Sequence, residues 1–150
     1  PDLSIEKSWQ VEGGVSFHGL IVNLYKIYTT DKILWAPNEQ SVWTPENVAS
    51  TNSSGFQIKY NGRFKIDKNI SMSLMPIVNY NHTINSAEGK NNGNELLYNP
   101  KLNLRLSWEI EYKQLSLSVE ETFTGRRFQT LDNVDELNSY NLFNAELNYK

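Results

Sequence analysis

Cysteine is absent from these 150 residues, so neither a disulfide scaffold nor a thiolate metal site is available. Long hydrophobic runs are absent as well, and without about 18 consecutive apolar residues no helix can span a membrane. Histidine is nearly absent, with only His18 and His82. Charge of one sign is scarce: 14 Lys and Arg against 17 Asp and Glu leave a net −3, scattered along the chain, which argues against nucleic acid as a partner. No phosphate-binding glycine loop, HExxH or nucleophile motif is present, so no enzyme activity and no cofactor are expected. The chain starts at Pro1 with no signal-peptide pattern after it, and is expected to be an internal piece of a longer protein.

What is abundant is period two. From Tyr98 the even positions read Tyr98, Pro100, Leu102, Leu104, Leu106, Trp108, Ile110, and the odd positions Asn99, Lys101, Asn103, Arg105, Ser107, Glu109. After a polar break at Glu111 to Gln114 the parity swaps, with Leu115, Leu117, Val119 and Phe123 opposite Ser116, Ser118, Glu120, Thr122 and Thr124. Side chains of a strand alternate between faces, so this is a long hairpin with one oily and one polar side. The runs exceed the usual 5–6 residues of a soluble strand and match the roughly 9–11 tilted residues that cross a bilayer. A mean hydropathy of −0.54 is compatible with this, because half of each such strand would face a wet lumen. The expected fold is therefore all-β, an antiparallel meander of about seven long strands from a transmembrane β-barrel.

In chain order, strands are expected at Ser8 to Phe17, Ile21 to Trp35, Phe56 to Ile66, Ile70 to Tyr80, the two of the Tyr98 hairpin, and Leu142 to Tyr149. Asp31-Lys32 suits a bulge or the waterline. Pro76, unable to donate to a ladder, requires a bulge or an unpaired position. Short turns around Gly19, Lys68 and Lys113 alternate with long connections at Ala36 to Ser54, Asn85 to Leu97 and Gln129 to Asn138, the asymmetry of outer-membrane barrels. Aromatics gather near expected strand ends, with Trp35, Tyr80, Tyr98 and Tyr140 toward the long loops and Phe17, Phe64, Trp108 and Tyr149 toward the short turns. A soluble β-sandwich is the competing fold, with Trp35 and Trp43 as a carbohydrate platform and Leu102, Leu104, Leu106, Leu115 and Leu117 sealed under a second sheet. A passive porin-like barrel is a third reading.

Particular words then carry a family resemblance. Pro1-Asp2-Leu3-Ser4-Ile5-Glu6-Lys7-Ser8-Trp9 resembles the approach to a late barrel strand in TonB-dependent outer-membrane receptors, particularly of Bacteroidetes type. Tyr28-x-x-Asp31-x-Ile33 and Asn47-Val48 followed by Ser54-Gly55-Phe56-Gln57 are similar to that family's next words, with Ala49 where the family has glycine. Tyr98-Asn99-Pro100, Thr124-Gly125-Arg126-Arg127-Phe128-x-Thr130-x-Asp132-Asn133 and Tyr140-x-Leu142 with Asn144 resemble the stretch ahead of the closing strands of cobalamin- and haem-type receptors. The resemblance implies a Gram-negative outer-membrane receptor with a plugged barrel of about 22 strands. Such a receptor imports an iron chelate, haem, cobalamin or glycan when TonB pulls on an N-terminal plug that is absent here. Residues 1–150 would be a late arc of its wall, touching outer-membrane lipid on one face. Cut loose, the arc would have open sheet edges through which copies could self-associate.

Candidate sites are few. Glu120 and Glu121, being adjacent, face opposite sides of a strand and cannot act as an acid/base pair; Glu109 and Glu111 share a face but read as solvated charges beside a turn. His18 and His82 fall at opposite ends of the wall and cannot share a metal. The ligand-contact candidates are Trp43, by stacking, His82, as a donor near a loop, and Arg126 and Arg127, by pairing with an anion or with headgroups at the rim.

Overall fold

A computed structural model describes residues 3–37 and 42–149, so Pro1-Asp2 of the first family-like word lies outside the described residues. The elements are β1 (Lys7–Phe17), β2 (Leu20–Pro37), β3 (Trp43–Tyr60), β4 (Gly62–Asp67), β5 (Ile70–Asn85), β6 (Leu102–Tyr112), β7 (Leu115–Thr124), β8 (Arg127–Phe128), β9 (Glu136–Leu137) and β10 (Tyr140–Tyr149). One antiparallel sheet runs β1-β2-β3-β5-β6-β7-β10 with β4 beside β5, and β8-β9 is a separate two-stranded hairpin.

The ladder explains the period. Pairs such as Val15↔Val22, Val22↔Ile58, Ile58↔Val78, Val78↔Leu104, Leu104↔Phe123 and Trp108↔Val119↔Ala145 place the apolar residues of seven strands on one continuous face. The other face carries Gln57↔Asn79, Ser73↔Glu109, Ser107↔Glu120 and Glu120↔Asn144. Its side chains bond across the strands, including Gln57 to Asn79 at 2.8 Å and Ser53 to Thr83 at 2.8 Å. Gly55 lies on this face, where any Cβ would run into the Tyr25 ring and the Tyr80 carbonyl.

Among the described residues no second sheet covers the apolar face. Leu106, Leu115 and Leu117 are 36%, 42% and 36% exposed, and Leu102 and Leu104 are half-buried. The sandwich, which needs these five sealed, is therefore ruled out.

One short turn and one ladder gap show their chemistry. His18 (φ 46°) and Gly19 (φ 84°) both adopt left-handed backbone, the requirement of a two-residue hairpin loop whose twist matches its strands. At Pro76 the β3–β5 ladder stops at Lys59↔Ile77 and resumes as β4 at Gly62↔Leu74 in unchanged register. The missing N–H of Pro76 accounts for the gap, while Asn61 N donates to Gly19 O at 2.8 Å on the other side. The expected third strand is thus two collinear pieces.

Several boundaries need correction. The expected loop from Ala36 to Ser54 is mostly strand, apart from residues 38–41, which are outside the described residues: β2 and β3 pair from Thr29↔Thr51 up to Pro37↔Trp43. Each is 18 residues long, well beyond the roughly 9–11 of a tilted span. The hairpin therefore continues past the apolar band, where the consecutive apolar residues Ile33 to Pro37 of β2 pair with a largely polar stretch of β3 and alternation vanishes. The expected start at Tyr98 is also wrong. Tyr98 has φ 55° and Pro100 cannot donate, so β6 begins at Leu102. Tyr80 was expected near a strand end; it lies inside β5, stacked on Phe56 at 5.5 Å.

Candidate functional site at the long-loop end

The bulge expected at Asp31-Lys32 is present, with register shifts between Thr29 and Ile33 and a φ of 53° at Asp31. Asn47 holds it. Its Nδ2 donates to Asp31 O at 2.6 Å and Ser4 O at 3.1 Å, and its Oδ1 accepts from Ser4 N at 2.8 Å. Glu6 adds a bond from Ile33 N at 3.0 Å and an ion pair with Lys32 at 3.9 Å. Three of the family-like words, far apart in sequence, are thus one junction above the apolar band.

Beside it, residues 86–101 fold back along the upper ends of β5 and β3. Leu96 N donates to Thr83 O at 3.0 Å, Ser86 N to Ser50 O at 2.7 Å, and Ile84 bridges Glu95. Among the described residues the buried apolar side chain is Leu97, and the buried polar ones are Thr29, Thr51 and Thr83, all three on the polar face.

A second loop, residues 125–139, is locked to the first. Asn133, at φ 58°, accepts from Glu95 N at 2.6 Å and donates to Glu95 O at 2.9 Å through one side-chain amide. Asn94 Nδ2 donates to Leu131 O at 2.9 Å and Tyr98 N to Phe128 O at 2.7 Å. Within this loop Asp132 has its carboxyl held below the usual range, first by the Thr130 hydroxyl and then by the Val134 amide. The folded turn therefore favours the ionised form, and this contribution fades only as the pH falls through that lowered pKa. An Asn133→Ala substitution removes bonds worth about 0.5–1.5 kcal/mol each. Hydrogen exchange on the intact protein should show the Glu95 amide opening on the order of tenfold faster, with the β5–β6 ladder unchanged.

The candidate contact residues divide. Trp43, exposed at the start of β3, lies 6.1 Å ring to ring from Tyr98. Tyr98 is tied to Phe128, next to Arg127, and Arg127 lies 5.4 Å over the Tyr140 ring. Arg126 reaches Glu136 at 3.5 Å. Trp43, Arg126 and Arg127 therefore belong to one loop cluster. His82 does not join them: it sits on β5 opposite Ser54, on the face that carries Tyr80 and Val78, while His18 lies in the β1–β2 turn at the other end. Asn133 stands in a family-like word, but its role was not legible in the sequence, because its partner Glu95 is 38 residues away.

Two carboxylates on the polar face, Glu111 and Glu120, are occupied structurally. Glu111 receives Arg63 at 3.0 Å and Ser71 at 2.6 Å, and Glu120 receives Ser107 at 3.2 Å and Arg105 at 3.9 Å. Glu121 points to the other face, opposite Leu106 and Phe143. The polar face forms an open trough of about 770 Å³ lined in part by Arg63, Ser107, Glu109, Glu120 and Asn144. Among the described residues no group of three or more His, Cys, Asp or Glu could hold a metal ion.

A single uncovered sheet, oily on one side and wet on the other, with tight turns at one end and interlocked loops at the other, is a piece of transmembrane β-barrel wall. Over residues 1–150 the chain matches the family described as TonB dependent receptor-like, beta-barrel, and it belongs to that family. Among solved structures it is similar to the ferric yersiniabactin uptake receptor FyuA from Yersinia pestis (16% identity, TM-score 0.68, 96% of this chain and 22% of that one). It is also similar to the copper transporter OprC (17% identity, TM-score 0.72, 99% of this chain and 23% of that one). The chain thus spans less than a quarter of either protein. No functionally curated protein matches it. The family's members are outer-membrane receptors and transporters of Gram-negative bacteria, not enzymes, and they bind small-molecule ligands and interact with TonB.

Proposed function

We propose that residues 1–150 are a late arc of the wall of a TonB-dependent importer. The apolar face meets outer-membrane lipid, the polar face lines the lumen, and the paired loops help select the cargo. The observation that carries this reading is the apolar face itself, continuous over seven strands with no layer above it. The open edges of β1 and β10, at opposite ends of the strand order, are where further strands would close the barrel. The cargo class implied by the family is a scarce ligand, an iron chelate, haem, cobalamin or glycan, and coupling would run through TonB and a plug in the lumen. Of the loop cluster, Trp43, exposed beside Tyr98, is the contact residue we assign to it.

Uptake by the intact receptor tests this. Cells offered each cargo class in turn should take one of them up only when TonB is functional, with at least about a tenfold loss of rate without it. Equal passive entry with and without TonB would instead identify a porin.

A further inference from the structure

Where the apolar face ends below the second loop, a cleft of about 370 Å³ opens between the end of the β6–β7 ladder and the β8–β9 hairpin. Its floor includes Leu102 and Phe123, which the register puts on the apolar face through Tyr80↔Leu102 and Leu104↔Phe123. Gly125 N donates to Leu102 O at 2.8 Å, so the floor is the same ladder carried one step further. The walls carry Lys101, Arg126 and Arg127 against Glu95 and Glu136. Both carboxylates are matched, Glu95 by Lys101 and Glu136 by Arg126. Arg127 is the surplus cation. Its Nη1 is buried and has no hydrogen-bond partner among the described residues.

We propose that this cleft holds the phosphate-bearing headgroup of an outer-leaflet lipid. The inference rests on the membrane placement proposed above. A net positive charge at the upper border of an apolar face suits an amphiphile, with the phosphate drawn to the arginine side and the acyl chains running down over Leu102 and Phe123. A soluble anion would gain nothing from that floor. A cargo crossing the barrel would approach along the polar face, away from it.

The test uses the intact receptor purified in a non-ionic detergent, with native mass spectrometry as the readout. The probes are a bisphosphorylated outer-membrane glycolipid, the same lipid stripped of phosphate, and inorganic phosphate. The phosphorylated lipid should be retained about tenfold better than the stripped one, and Arg127→Gln should erase most of that preference while Arg127→Lys keeps part of it. Equal retention of the two lipids would overturn the proposal, and so would displacement by inorganic phosphate at millimolar concentration, which would mark a general anion site. If Arg127→Gln fails to assemble, the comparison of the two lipids on the unaltered receptor decides alone. Equal retention of the two lipids by the unaltered receptor, with its TonB-dependent uptake intact, refutes only this site, whereas uptake without TonB refutes the importer reading and leaves the lipid preference standing.

Discussion

Replacing Leu74 by arginine should destabilise the assembled barrel by about 2–4 kcal/mol, while the same substitution one residue earlier, at Ser73, should cost under about 1 kcal/mol. Leu74 lies on the apolar face between Gly62 and Trp108, four residues above the β4–β5 turn, and so near mid-height of the band. A guanidinium there must shed its hydration or drag water into hydrocarbon. Ser73 lies on the polar face between Arg63 and Glu109, where an added cation meets water and the Glu109 carboxylate offsets the repulsion from Arg63. Unfolding of the intact receptor from lipid vesicles in denaturant would measure the pair. Equal costs at the two positions would show that the apolar face does not meet lipid. The contrast matters more than either value, because the neighbouring residues share a strand and differ only in the side to which they point.

That contrast is also what made the middle of the fold readable without coordinates. Between Leu102 and Tyr112, or Leu115 and Thr124, one side of the strand is oily and the other wet, so polarity itself writes the period. Above the band the rule lapses. Trp43 to Ser54 carries polar residues at both parities, its Thr-Asn-Ser-Ser string reads as loop, and yet Thr51 is 2% exposed and Ser53 bonds Thr83. At Tyr98 the error ran the other way: Tyr98 and Pro100 happened to extend the even-numbered apolar series into a turn that only a φ of 55° reveals. Pro76 and Asp31 were legible because a missing donor and a polar pair inside a strand have few structural outcomes. The candidate site was legible by residue type and illegible by assembly. Trp43 and Arg127 could be named from chemistry, whereas the Tyr98 contact that links their neighbourhoods and the Asn133 amide that locks the loops depend on distant partners, and no local pattern announces them.

The same uncovered face predicts how the 150-residue chain behaves alone. It exposes 10430 Å², against roughly 7,800 Å² for a compact monomer of its mass. Trp9, Val11, Val15 and Phe17 on β1, and Phe143, Leu147 and Tyr149 on β10, are exposed on strands that also have one edge unpaired. Each edge offers a row of backbone donors and acceptors to any other strand, and the flanking oily surface rewards contact. In plain buffer the chain should therefore form multimers or precipitate, and light scattering should find a small particle only with detergent present. Detergent answers the face but not the edges, so even then some pairing of β1 with β10 between copies is expected, and strand-crossing crosslinks at Gln10 and Asn144 would report it. A monodisperse monomer in detergent-free buffer would mean that this surface can satisfy itself, and the lipid-facing assignment would fall with it.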